Sequence, residues 1–108
     1  MRYHTEFSLE AKQDLSNIYK YIKYTLQEPK IAKELISQIR IKINSLENNP
    51  KLYPIIDDDY IKKLEIRKII VKNYIVFYRV IEPIKLIQIA RIMYGKRNWV
   101  NLLQNKKH

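Results

Sequence analysis

The sequence predicts an α+β fold in which a helical hairpin packs on an antiparallel sheet, in the order βααβββ, with a short C-terminal helix as an optional last element. Three observations predict it. Two stretches, one following Ser8 and one beginning at Pro29, repeat apolar residues at three- and four-residue steps, the period of an amphipathic helix. Beyond Leu64 the pattern changes to β-branched and aromatic runs separated by short turns. The chain has 108 residues, 46% apolar and 30% charged, enough for one domain over 1–108 with a core that needs no metal or disulfide staple.

From Arg2 to Phe7, Tyr3, Thr5 and Phe7 alternate onto one side, as in a strand. Ser8 is a good N-cap, and Glu10 suits the first turn of the helix that follows. Ala11, Leu15, Ile18 and Ile22 form its buried stripe, and it is expected to run to about Leu26. After a Gln27-Glu28 turn, Pro29 opens a second helix carrying Ala32, Leu35, Ile36, Ile39, Ile43 and Leu46, which Asn48-Asn49-Pro50 stops. The segment 51–63, with Pro54 and three consecutive aspartates, reads as a loop.

Three strands are expected over 65–71, 74–81 and 86–93, joined by Lys72-Asn73 and by a turn at Pro83. Pairing about those turns places Arg67, Tyr78 and Ile89 in one cross-strand row and Lys68, Phe77 and Ala90 in the next, on the opposite face. Gly95, the only glycine, closes the last strand with a hinged turn, and 98–104 is the candidate terminal helix. Two helices on one sheet face leave the other at least partly open.

The charge is unevenly distributed. Residues 1–59 hold nine Lys/Arg against nine Asp/Glu, whereas 60–108 hold twelve against two, so the net +10 belongs to the second half. A cationic half that also carries Tyr74, Tyr78, Tyr94 and Trp99 suits phosphates or an acidic protein surface. No apolar run approaches a membrane span and the first residues lack the apolar stretch of a signal peptide, so the expected location is the cytoplasm. Zero cysteines and two histidines, His4 and His108, leave no zinc site; the Asp57-Asp58-Asp59 run is read as a solvated loop, and no cofactor is implied.

Candidate functional residues follow from the same distribution. Tyr94, Lys96 and Arg97 crowd the end of the last strand, where Arg97 offers a bidentate fork for a phosphate and Tyr94 a stacking ring or a proton-passing hydroxyl. Lys68 and Arg79 share one sheet face in the expected register, while Arg67 and Arg91 fall on the helix-covered side or its margin, where an arginine often forms a structural ion pair. One glycine excludes a phosphate-cradling loop, and no Ser-His-Asp or Cys-His arrangement can be assembled. Any catalysis must run on Lys, Arg and Tyr, which suits metal-free RNA cleavage through the 2′-hydroxyl.

Several separated pieces then converge. They are Ala11-Lys12-Gln13-Asp14-Leu15 with Ile18 and Tyr21-Ile22; Leu46 with Pro50; Arg67-Lys68 before Asn73-Tyr74-Ile75-Val76-Phe77-Tyr78-Arg79-Val80; and Arg91-Ile92-Met93-Tyr94-Gly95-Lys96-Arg97. In this order and at this size the chain resembles the RelE/ParE superfamily of type II toxin-antitoxin toxins over nearly its whole length. That resemblance implies a cognate antitoxin whose C-terminal segment wraps the toxin. It also implies a growth-inhibiting activity: the expected one is ribosome-dependent mRNA cleavage without a metal, as in RelE-like members, and the alternative is poisoning of DNA gyrase without nuclease chemistry, as in ParE-like members. On the first, Lys68 and Arg97 match basic catalytic positions and Tyr94 is the candidate third member, with Arg67, Arg79, Arg91 and Lys96 as target contacts. Two positions depart from the ribonuclease pattern: Ile75 stands where those enzymes place a phosphate-contacting arginine, and Leu103 about where RelE has its C-terminal tyrosine. The long helical hairpin looks more like the ParE side. A basic binding module of the same fold without toxicity is the third reading.

Overall fold

A computed structural model describes residues 2–97 and 99–104. Strand β1 (His4–Phe7) leads into helix α1 (Leu9–Lys20), which continues as a π-helical turn over Tyr21–Thr25. Helix α2 (Pro29–Ser45) completes the hairpin, and β2 (Arg67–Val71), β3 (Tyr74–Ile81), β4 (Leu86–Tyr94) and α3 (Trp99–Gln104) follow. No helix among the described residues is long and apolar enough to cross a membrane.

Local chemistry explains the boundaries. The Ser8 hydroxyl caps α1 by accepting the Ala11 N–H at 3.0 Å and donates to the Ala90 carbonyl at 2.8 Å, tying the helix start to the sheet. Pro29 sits in the first turn of α2, where its missing N–H costs nothing. Glu65, expected inside a strand, instead takes a left-handed conformation (φ 53°) after a 3₁₀ turn over Lys62–Leu64, so β2 begins two residues later.

The sheet order is β1-β4-β3-β2, and β1 pairs parallel with β4 while the other pairings are antiparallel. The sheet is therefore mixed. The antiparallel expectation holds for the meander, whose turns set its register; β1 has no turn linking it to its partner, so its direction depends on how the hairpin returns the chain. The row Arg67–Tyr78–Ile89 is observed. The row through Lys68 and Phe77 is not completed by Ala90: the register shifts between Phe77 and Tyr78, and Arg91 faces Phe77. Ala90 is the extra residue of a bulge, a feature that turn lengths alone do not encode.

Both faces of the sheet are covered. Under the hairpin lie Ala11, Ile22, Leu35, Ile39 and Ile43 with Ile69, Val76, Tyr78, Ile89 and Ile92 from the strands. The opposite face, expected to be partly open, carries a second cluster in which Ile75, Phe77 and Met93 meet Ile56, Ile61, Ile66 and Leu103. The segment expected to be plain loop supplies part of that cover: Ile55 bridges to Arg67, and the Ile56 N–H donates to the Ile66 carbonyl at 2.8 Å. The sequence is β-branched on both faces of β3, which is the pattern of a strand buried on both sides.

Tyr78 is fully buried, and its hydroxyl donates to the Pro50 carbonyl at 2.9 Å, pinning the exit of the hairpin to the sheet. Burial pushes this phenol up to about 12, with the Arg67 charge opposing the rise. Tyr78→Phe leaves the buried carbonyl without its donor and is expected to cost about 1–2 kcal/mol in urea unfolding.

Candidate functional site

The candidate residues divide between two faces. Tyr94 ends β4 on the hairpin side, where its ring meets Tyr74 edge-on with centroids 5.7 Å apart. Together with Arg97 they line a groove of about 1270 Å³ between the helical hairpin and the end of the sheet. Burial, reinforced by the neighbouring Tyr94 and Tyr21 hydroxyls, raises the Tyr74 phenol above its ordinary value. Lys68 lies on the other face, with Nζ 5.0 Å from the centre of the Trp99 ring, a cation–π contact beside the second cluster. Arg79 is exposed on that face, near Leu102 and Leu103 of α3. Lys68, Tyr94 and Arg97 therefore do not converge on one point.

Gly95 does not act as a hinge with positive φ. Its N–H donates to the Asn73 carbonyl at 2.8 Å, and a Cβ there would lie 3.3 Å from that same oxygen, so the residue is needed for close approach of the turn to the β2–β3 connection. Lys96 and Arg97 project from this turn and are exposed.

Two of the proposed target contacts are engaged inside the protein. Arg91 forms a bidentate pair with Asp14 of α1, through Nε at 2.7 Å and a terminal nitrogen at 3.0 Å. Hydrogen bonding to Asp14 raises the guanidinium above its ordinary value against the opposing effect of partial burial. The same carboxylate accepts the Ile92 N–H at 2.9 Å, so it occupies the stretch of β4 that β1 does not cover. Arg67 donates to the Tyr53 carbonyl and holds the 51–66 segment against β2. Asp58 likewise has a local role, accepting the Tyr60 N–H at 2.8 Å.

A further charge cluster lies at the far end of the sheet. The Glu82 carboxylate accepts from the Tyr3 hydroxyl at 2.8 Å and pairs with Lys51 and Lys85. The Lys51 hydrogen bond, followed by that of Tyr3, pulls its carboxyl down to about 2 from 4.5. A depressed carboxylate contributes stability that is present above pH 4.5 and is lost as the pH falls toward 2. Glu82→Gln is accordingly expected to flatten the melting-temperature profile between those limits, with wild type and variant converging at the acid end.

The groove is only partly legible in the sequence. Tyr21, Leu26 and Ile31 lie off the buried stripes of the two helices and are each about half exposed (53%, 50% and 49%). Large apolar residues at helix positions outside the core stripe were the available signal.

Solved structures place this architecture. The chain matches a toxin-antitoxin protein of the chromosomal ParDE system from P. aeruginosa with TM-score 0.69 at 20% identity, covering 89% of this chain and 98% of that one. It matches a mutant form of the E. coli toxin RelE in the free state with TM-score 0.67 at 14% identity, covering 99% and 98%. A chain of the RelBE2 toxin-antitoxin complex from Mycobacterium tuberculosis matches with TM-score 0.59 at 14% identity, covering 87% and 99%. No curated protein matches by sequence comparison. The fold is that of RelE/ParE-type toxins. Residues 5–99 match the family described as the ParE toxin of the type II toxin-antitoxin system, parDE, and the chain belongs to that family.

Proposed function

We propose that this type II toxin acts as a ParE-like poison of DNA gyrase, by binding rather than by cutting RNA, and that a cognate antitoxin restrains it. The supporting observation is the fate of the two positions that depart from the ribonuclease pattern. Ile75 and Leu103 are 7% and 2% exposed and belong to one apolar cluster on the face that carries Lys68. Where a nuclease needs a guanidinium and a phenol reaching a phosphate, this chain packs hydrocarbon. The separation of Lys68 from Tyr94 and Arg97 points the same way, because general acid–base catalysis needs its groups within hydrogen-bond reach of one reacting centre. An antitoxin partner is supported by the structural relatives, which come from ParDE and RelBE toxin-antitoxin systems.

Brief induction in bacteria, with thymidine and methionine incorporation recorded in parallel, tests the reading. DNA synthesis is expected to fall first, and the purified protein is expected to arrest supercoiling by gyrase. An earlier fall in protein synthesis, with mRNA cleavage on purified ribosomes that Arg97→Ala and Tyr94→Phe abolish, would establish the ribonuclease instead. Folded protein that slows neither synthesis leaves the non-toxic binding module.

A further inference from the structure

Helix α1 turns a different flank to each of two concavities. Asp14, Asn17, Ile18 and Tyr21 border the groove at the end of the sheet, whereas Lys12, Leu15, Ser16 and Tyr19 line a second cleft of about 500 Å³. Ile36 and Arg40, one turn apart on α2, face that second flank, and Phe7 reaches it from the end of β1. The two concavities share no residue. Phe7, Leu15 and Tyr19 are half-buried with their inner sides on the main core, so the base of the cleft is apolar and backed by packed side chains. Its volume lies in the range of small-molecule sites.

The polar rim of the cleft has one sign. Among the described residues no carboxylate lines it, and neither Lys12 nor Arg40 forms an ion pair within the chain. The acidic residues of α1 act elsewhere: Asp14 is paired with Arg91, and the Glu10 charge also acts on Arg91. Lys23, the cation one turn beyond Tyr19, is engaged by aromatic rings, with Nζ 5.4 Å from the centre of Tyr19 and 5.1 Å from that of Tyr24. Because the two helices of a hairpin run in opposite directions, Arg40 lies toward the Lys12 end of the cleft and Ile36 toward the Tyr19 end.

We propose that this cleft binds a small amphipathic carboxylate, its head held by Lys12 and Arg40 and an unbranched hydrocarbon tail of medium length laid over Phe7 and Leu15 toward Tyr19 and Ile36. Arg40 offers a planar fork that matches a carboxylate, and Lys12 adds a point charge. Lys12 and Tyr19 are about 10 Å apart along α1 at the helical rise, which sets the length of tail that the apolar base can cover. Head and tail are both required. An anion without a tail leaves the base wet, and a tail without a charge covers apolar surface while giving the two cations no acceptor. Sharing no residue with the groove, the site is independent of the choice of gyrase or ribosome as target.

Isothermal titration calorimetry of the full chain with decanoate, kept below the concentration at which it forms micelles, is expected to show saturable binding, and decanoate is expected to raise the melting temperature by mass action. Acetate, a head without a tail, and decanol, a tail without a charge, are each expected to bind at least about tenfold more weakly. Arg40→Gln and Lys12→Gln should each weaken decanoate binding about tenfold. Ser16→Trp, which fills the cleft from an exposed position, should abolish it, with circular dichroism confirming the fold of each variant. Lys42→Gln removes the same charge from an exposed α2 position outside the cleft and should leave binding unchanged. No saturable binding overturns the proposal. So does equal weakening by Lys42→Gln and Arg40→Gln, which would show that the overall +10 charge attracts the anion, or full binding by Ser16→Trp, which would place the ligand elsewhere. Binding to phosphatidylglycerol vesicles with none to monomeric decanoate would assign these cations to a membrane surface, and a dimer in sedimentation that Ser16→Trp dissolves would assign the cleft to a second copy of the chain; either result also overturns it.

Discussion

Phe77→Ala is expected to lower unfolding stability by about 3–5 kcal/mol, the range for removing a fully buried aromatic side chain. Phe77 is 0% exposed and packs in the second apolar cluster with Ile75, Met93 and Leu103. The Trp99 ring lies across it, with centroids 5.4 Å apart and planes tilted by 42°. Removing the ring opens a cavity beneath α3, a helix of only six residues, too short to be stable without a surface to dock on. Trp99 is the only tryptophan in the chain, so its fluorescence reports on α3 directly. In Phe77→Ala the emission should shift to the red at lower urea concentration than the loss of far-ultraviolet helical signal. A loss below about 1 kcal/mol, with the two signals still coincident, would mean that the second face contributes little to the fold.

The second large effect is expected at Asp14, where one carboxylate satisfies three donors: two from the Arg91 guanidinium and the Ile92 backbone N–H. The side chains of Arg91 and Asp14 are 24% and 14% exposed, so water reaches the pair only in part. Asp14→Ala leaves a half-buried cation without its partner and a strand N–H without its acceptor. The expected loss is about 2–4 kcal/mol, below the full cost of breaking a wholly buried pair because solvent remains at its margin. Asp14→Asn keeps an acceptor for Ile92 while removing the charge, and its loss should be intermediate. Replacing both partners together, Asp14→Leu with Arg91→Met, should be milder than Asp14→Ala, because no uncompensated charge is left. Denaturant unfolding of the three variants measures the order, and equal stability of Asp14→Ala and wild type would show that the triad is ornamental.

These two residues illustrate what local pattern conveys. Asp14 falls outside the buried stripe of Ala11, Leu15, Ile18 and Ile22, yet the fold turns it onto the unpaired edge of β4. Arg91 reads equally as a target contact or as an ion pair, and only a partner 77 residues away settles it. Lys68 and Arg97 both read as catalytic cations by analogy, but Lys68 lies over Trp99 beside the second cluster whereas Arg97 borders the groove at the hairpin. Ile75 and Leu103 read as departures from a catalytic pattern; in space they belong to one apolar cluster, which gives the departures a common physical meaning.

The sequence by itself determined the order of the strands and helices, the hairpin, the meander with its Arg67–Tyr78–Ile89 row, and the cationic character of the second half. These depend on periodicity, caps and short turns, which act between near neighbours in the chain. Tertiary structure alone decided the parallel placement of β1, the bulge at Ala90, the covering of the second sheet face and the division of the basic residues into paired and exposed. Each of those outcomes requires surfaces distant in sequence to meet, and the free energy of burying them together is a property of the assembled fold, not of any segment read alone.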